Sequence, residues 1–260
     1  MLQERGQIRL MGAHRVFIAK ENICGGRACI IGEDAKHIAT VLRLKTGDSI
    51  LVCDGENGQY SASIIGGEKG EIELALGEHA LLETEPCISV TIYQALPKPD
   101  KMDLIIQKCV ELGAYALVPV QTERSVPRLE SSSGAKLERW RKIAREAARQ
   151  SGRGIIPHVW PPLLFAEMRE KAASHDIFLA AYENEENNML AEVIARKRDA
   201  KDIGVFIGPE GGIAPQEADA LRSMGAFCVS LGRRTLRTET AGMAVLAMLM
   251  YECGEMGCRY

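Results

Sequence analysis

Ile203-Gly-Val-Phe-Ile-Gly-Pro-Glu-Gly-Gly212, a helical stretch, then Val229-Ser-Leu-Gly-Arg-Arg-Thr-Leu-Arg-Thr-Glu-Thr-Ala-Gly242 and an apolar helix: this segment decides how the chain is read. Residues 205–207 and 226–231 are apolar enough to be buried strands, and each runs straight into a polar loop. Gly208, Gly211 and Gly212 let the first loop take positive φ and bring bare backbone close to a ligand. The second loop ends in Thr238-Glu239-Thr240-Ala241, a helix start with hydroxyls suited to capping. Parallel sheets bind ligands outside the carboxyl ends of their strands, so two such loops on successive strands predict one site. Arg233, Arg234 and Arg237 bring three cations to it, and Arg237 stands directly before the helix. A guanidinium there binds an anionic group or stabilises an oxyanion formed during reaction.

Working outward, strand and helix alternate from residue 87 onward. Strands are predicted at 87–93, 115–120 and 177–180, and helices at 101–112, 134–151 and 188–198. Pro97-Lys-Pro-Asp100 precedes the first of these helices as a cap, and Ser131-Ser-Ser-Gly134 reads as a flexible loop. This is an α/β pattern with a mostly parallel sheet. Leu82-Glu-Thr-Glu-Pro86 reads as a linker. Before it, short strands at 14–19, 49–53, 60–65 and 71–76 are punctuated by glycine turns. One helix at 34–44 interrupts them, with Ile38, Val41 and Leu42 on a shared face and Asp34 at its start. A small β-barrel is predicted there, giving two domains, 1–85 and 86–260.

Several function classes drop out. The glycine loop is neither the six-position dinucleotide fingerprint nor a P-loop, since no Gly-Lys-Ser/Thr follows it. No apolar run approaches the ~20 residues of a membrane span. The start, Met1-Leu-Gln-Glu-Arg-Gly-Gln7, is polar and lacks an apolar signal core, and residues 1–12 read as a frayed extension or Met11 as the true start. The eight cysteines, at 24, 29, 53, 87, 109, 228, 253 and 258, show no C-x-x-C spacing, which predicts reduced thiols, no metal and a cytoplasmic protein. Cys253 and Cys258 are the one pair to watch. His37, His79, His158 and His175 do not cluster. Charge is uneven: residues 122–153 hold nine Lys/Arg against four Glu, whereas residues 1–85 hold nine basic and thirteen acidic. Such a strip is either a solvated helix face or a nucleic-acid footprint.

Ile207-Gly-Pro-Glu-Gly-Gly212 with Leu231-Gly-Arg-Arg-Thr-Leu-Arg-Thr-Glu-Thr-Ala241 resembles the paired signature of the trefoil-knotted SPOUT methyltransferases. Within them the chain is most similar to the ribosomal RNA small subunit methyltransferase E family, which methylates N3 of a uridine in 16S rRNA. The narrower likeness is carried by His14-Arg-Val-Phe17, Ala95-Leu-Pro-Lys98, Gln107-Lys-Cys-Val-Glu-Leu-Gly113, Thr122-Glu-Arg-Ser125, and Gln150-Ser-Gly-Arg153 ahead of Ile156-Pro157. Two positions depart from the family: Ile213, where an aromatic is common, and Arg149, where an acid is expected.

The resemblance implies an α/β fold with a C-terminal trefoil-knotted methyltransferase domain and an N-terminal PUA-like β-barrel that binds RNA. It also implies a homodimer acting on 16S rRNA or the assembled small ribosomal subunit, without membrane or metal. S-adenosylmethionine would be held by Leu179, Ile207, Gly208, Pro209, Glu210, Gly211, Leu231, Gly232, Leu236, Arg237, Thr238 and Ala241. The catalytic candidates are Arg237, with Arg15 or Arg124 as an alternative cation, and Glu210 and Glu239 as proton acceptors or cofactor orienters. Arg15, Arg124, Arg128, Arg149 and Arg153 are the expected RNA contacts. Two rival readings stay open: a knotted methyltransferase of transfer-RNA ribose 2′-hydroxyls, and a non-catalytic RNA-binding assembly protein.

Overall fold

The computed structural model describes residues 14–68, 70–98, 100–126, 128, 133–197 and 199–257. The N-terminal extension, Pro99 of the helix cap, residues 131–132 of the serine loop and Cys258 lie outside them. The chain divides into two compact units. The first holds the described residues up to Glu85 together with Ala148–Ile156; the second holds Pro86–Ala147 and the described residues from Pro157 onward. A single cut after residue 85 therefore misses nine residues that belong with the first unit.

In that unit β1 (Arg15–Phe17), β2 (Ile23–Cys24), β3 (Arg27–Ile31), β4 (Ser49–Cys53), β5 (Gly58–Gly66) and β6 (Glu71–Leu81) form one sheet in the order β1-β4-β5-β6-β3-β2. Among the described residues the ladders trace an open path with β1 and β2 at its ends, and only β1–β4 is parallel. Alternate residues of these strands, Ile30, Ile50, Val52, Ala62, Ile64 and Leu74, face one apolar core. The helix α1 (Gly32–Lys36) starts earlier than expected, with Ile31 at the N-cap, so Asp34 lies in its first turn. It continues through Leu42 in a wider π-type turn. That turn rotates Val41 into solvent while Ala35 and Ile38 stay buried, which corrects the expected apolar face.

Glu85 clamps the added segment to this unit. Its carboxylate accepts from Arg153 Nε at 3.2 and 3.1 Å, from Arg153 Nη2, and from the Gly154 and Ile155 N–H groups at 3.2 and 3.4 Å. The guanidinium is buried.

The second unit is a parallel sheet. Its strands are β7 (Ser89–Ala95), β8 (Ala116–Gln121), β9 (His158–Val159), β10 (Leu163–Leu164), β11 (Ile177–Ala181), β12 (Asp202–Ile207) and β13 (Phe227–Val229). They run β10-β8-β7-β12-β11-β13, with β9 beside β8. Every ladder is parallel, and the strands read as near-continuous apolar runs because both faces are covered. The helices are α2 (Lys101–Glu111), α3 (Ser133–Ser151), α4 (Phe165–Ala172), α5 (Leu190–Arg196), α6 (Pro215–Ser223) and α7 (Thr238–Glu252). In α7, Ala241, Gly242, Val245, Leu246, Leu249 and Met250 are buried along one side of the helix, whereas Met248 and Tyr251 are exposed. β11 lies between β12 and β13, so the loops after β12 and β13 flank the end of a third strand. The seven described cysteines are free thiols.

Candidate active site

A cavity of about 510 Å³ opens at the carboxyl ends of β12, β11 and β13. It is walled by the loops 207–212 and 230–238 and by Ala181, Tyr182 and Glu183 from the end of β11, with Lys101 at one side. The two glycine- and arginine-bearing loops therefore meet in one site. Its backbone explains its glycines: a Cβ on Gly208 would stand 2.8 Å from Ile213 Cγ1, so the buried Ile213 seals the floor beneath that turn. At Gly232 φ is +114° and nothing lies within 4 Å of a Cβ position, so main chain borders open space.

Thr238 ties the elements together. It is buried, and its hydroxyl donates to the Gly208 carbonyl at 2.6 Å while accepting from Gln94 Nε2 at 2.9 Å. Gln94, wholly buried in β7, also donates to the Ala95 carbonyl at 3.0 Å. The first residue of α7 thus fixes the glycine loop against β7, and Arg237, not a threonine, occupies the N-cap. Thr238→Val keeps the volume but strands a buried amide donor and a carbonyl acceptor. It should destabilise the protein by about 1–3 kcal/mol in urea denaturation.

Lys101 joins two expected catalytic acids. Its ammonium lies 2.9 Å from Glu210 Oε1 and 3.1 Å from Glu239 Oε2. Glu210 also accepts from the Lys98 N–H at 3.1 and 3.3 Å. Burial pushes the Glu210 carboxyl up, but Lys101 and the backbone N–H groups of Glu210 and Lys98 outweigh it and hold it below the ordinary value. Glu239 is lowered by its own backbone N–H first, then by Lys101 and Arg237 against the cost of burial. Both acids raise the Lys101 pKa. Lys101 was missed in the sequence; the signal was its place just past the end of β7, another strand carboxyl end at the same sheet edge.

Of the expected cofactor residues, Ile207, Gly208, Pro209, Glu210, Gly211, Leu231, Gly232, Leu236, Arg237, Thr238 and Ala241 all line the cavity. Leu179 does not. It is fully buried and borders a separate pocket of about 320 Å³ with Ile88, Ile177, Ile203 and Leu249. β11 runs two residues beyond Leu179, so the wall belongs to its last residue, Ala181, and to Tyr182 and Glu183 just after it.

Arg237 is exposed at the cavity edge. Arg124, expected at RNA, lays its stem on Gly211 and donates from Nη1 to the Gly211 carbonyl at 2.9 Å, bracing the glycine loop. Arg128 is exposed, and Arg149 is half-buried in the last turn of α3. Arg153 is corrected outright: it is buried in its pair with Glu85 and cannot reach a phosphate without breaking it. Arg15 is turned inward as well. Its Nη2 donates to the buried Gln59 at 2.9 Å and its Nη1 is shielded from solvent beside Gly152, so it serves the first unit's packing and not a substrate cleft. Charge counting cannot separate these arginines, because burial depends on a carboxylate 68 residues away. Among the described residues no group of three or more His, Cys, Asp or Glu can hold a metal, and no helix is long and apolar enough to cross a membrane.

The RNA methyltransferase domain model matches residues 83–250, and the RNA methyltransferase PUA domain model matches residues 30–76. Ribosomal RNA small subunit methyltransferase E of Bacillus subtilis (strain 168) is 33% identical over 228 residues, covering 86% of this chain and 89% of the relative. The Synechocystis protein of the same name is 35% identical over 254 residues, covering 95% and 80%. Among solved structures, ribosomal RNA small subunit methyltransferase E from Neisseria gonorrhoeae bound to S-adenosyl methionine superposes with a TM-score of 0.83 at 28% identity, covering 92% of this chain and 98% of that one. A Legionella pneumophila methyltransferase in complex with the bound cofactor SAM gives 0.84 at 26% identity, covering 93% and 98%. A model spanning residues 83–250 and relatives matched along most of their length settle the lineage: this chain belongs to the ribosomal RNA small subunit methyltransferase E family.

Proposed function

We propose that the chain transfers the methyl group of S-adenosylmethionine to N3 of a uridine in 16S rRNA of the small ribosomal subunit. The observation that carries this is that two backbone-rich loops wall one and the same cavity, with Arg237 at its edge. The cavity suits the cofactor. Its volume lies within the ~300–1,000 Å³ of small-molecule sites, bare main chain borders open space at Gly232, and its walls carry both signs of charge. Leu231, Gly232, Leu236 and Ala241 would hold the adenine, and residues 207–211 the opposite side.

S-adenosylmethionine supplies a methyl group already activated on a sulfonium, which leaves the protein to align the acceptor and handle the N3 proton. Loss of that proton spreads negative charge onto the two carbonyl oxygens of the base. Arg237 stands where a cation lowers the energy of that charge. Glu210 and Glu239 are poorly suited to take the proton: both are tied to Lys101 and held below the ordinary glutamate value of 4.5. A carboxylate with a lowered pKa is a weaker base. In this reading the two acids and Lys101 orient the loop and the α7 start, and hydroxide from solvent accepts the proton. RNA contacts are assigned to Arg124, Arg128 and Arg149 and to the PUA domain.

The knotted path is supported by α7: after β13 the chain returns to hydrogen-bond Gly208, just past β12, and Gln94 on β7, passing beside strands already laid down. The homodimer is supported by Leu104 on α2 and Met248 and Tyr251 on α7, large apolar side chains left exposed on helices that pack together. A cytoplasmic location is supported by the bacterial relatives, whose names make small-subunit ribosomal RNA their substrate.

The test is incubation with S-adenosylmethionine and unmodified small subunits or free 16S rRNA, then mass spectrometry of the nucleosides. The product expected is 3-methyluridine; ribose methylation or no transfer would overturn the assignment. The same assay reads pH. A lowered carboxylate contributes its charge above its unfolded pKa and loses it only as pH falls through the folded one. Glu210 and Glu239 therefore stay ionised from neutral pH upward and add no limb there, and the rate should climb through the alkaline range with hydroxide. A plateau reached near pH 5 would restore a glutamate as the base.

A further inference from the structure

We propose that Glu183 is the residue of this cavity that accepts hydrogen bonds from the ribose hydroxyls of the bound nucleoside, an assignment that rests on the S-adenosylmethionine reading above. Glu183 lies two residues beyond β11, the strand between the two that carry the paired loops, so it faces the cavity from its middle. Its backbone is held. The Tyr182 N–H donates to the Val229 carbonyl at 3.1 Å, and the Glu185 N–H closes the turn onto the Tyr182 carbonyl at 3.1 Å. The buried Tyr182 ring lies under Arg222, 5.4 Å away, and Arg222 in turn pairs with Glu185 at 3.2 Å.

Gly212 lies directly beside this carboxylate: its φ of +73° is what requires glycine there, and the position a Cβ would take is 1.9 Å from Glu183 Oε1, so the bare backbone leaves the acid its room. Two carboxylates line the cavity. Glu210 is committed to Lys101 and the Lys98 N–H, whereas Glu183 has no ion pair among the described residues. An exposed carboxylate at a turn is ordinarily a solvated surface group. This one is on a fixed backbone, inside a ligand-sized cavity, against a glycine that leaves it room.

Position selects the ligand group. The loop after β13 lies on one side of β11, and Lys101, reached from β7, lies beyond β12 on the other. With the adenine against the loop after β13 and the reacting end toward Arg237 and Lys101, the sugar comes opposite β11. A carboxylate has oxygens enough to take both hydroxyls of a vicinal diol, as acids at strand ends do for ribose in dinucleotide sites.

Titration calorimetry on Glu183→Gln and Glu183→Ala tests this with S-adenosylmethionine and with 5′-methylthioadenosine, which keeps the ribose but lacks the amino-acid end. Both ligands should bind more weakly by the same factor, about tenfold or more for the alanine variant, with unchanged thermal melting of the unliganded protein. Loss confined to S-adenosylmethionine would move Glu183 to the α-ammonium, and unchanged affinity for both would leave it a surface acid. Either result overturns the proposal. A wild-type chain that binds neither ligand would instead overturn the cofactor reading beneath it.

Discussion

Arg237→Ala should lower kcat by about 10²–10³-fold and leave the dissociation constant for S-adenosylmethionine nearly unchanged. Arg237 is exposed at the cavity edge, and its backbone, rather than its side chain, is what the fold uses: its carbonyl accepts from the Ala241 N–H at 2.8 Å to open α7. Alanine preserves that bond. On the proposed reading, what disappears is a cation that acts on the uracil oxygens when the base carries charge and is of little use before. An interaction made only in the transition state lowers kcat and kcat/KM together. Calorimetry and single-turnover kinetics on the same variant separate the cases; equal losses in binding and turnover would move Arg237 into the cofactor-holding set. Arg237→Lys should recover part of the rate, since it keeps the charge and loses the fork.

Arg153→Ala should cost the fold about 3–5 kcal/mol, because it leaves Glu85 shielded from solvent with its main partner gone. Thermal melting should show the first transition well below that of wild type, while affinity for S-adenosylmethionine at low temperature is retained. Replacing both members, Arg153→Met with Glu85→Leu, should regain much of the loss, since a well-packed apolar pair avoids desolvating either charge. Were Arg153 a phosphate contact, the single variant would melt normally, bind rRNA more weakly, and show a salt dependence reduced by about one charge.

What the sequence made legible was local. Alternation of apolar strands and helices from residue 87 onward is a short-range signal, and so are the two loops, because glycine and arginine placed just past an apolar run report a strand's carboxyl end. Pairings between distant residues were not legible. Arg153 and Arg128 look alike in a charge count, yet one is buried on Glu85 and the other is exposed. Glu210 and Glu239 read as bases because nothing nearby in sequence announces Lys101, which reaches them from α2, over a hundred residues away. Leu179 was placed two residues too early, because the length of β11, which runs on to Ala181, is not fixed by its apolar run alone.

The nine residues from Ala148 to Ile156 that complete the first unit carry a consequence for biosynthesis. When Glu85 leaves the ribosome its partner has not yet been made, and at about 5–20 residues per second the wait for Arg153 lasts roughly 3–14 s. Through that interval the nascent RNA-binding module carries an unneutralised acid at its unfinished edge. The first unit should therefore reach its full stability only once Ala148–Ile156 has been made. A fragment ending at residue 85 should be a poor reagent for studying RNA recognition, and one that carries the later segment in trans a better one.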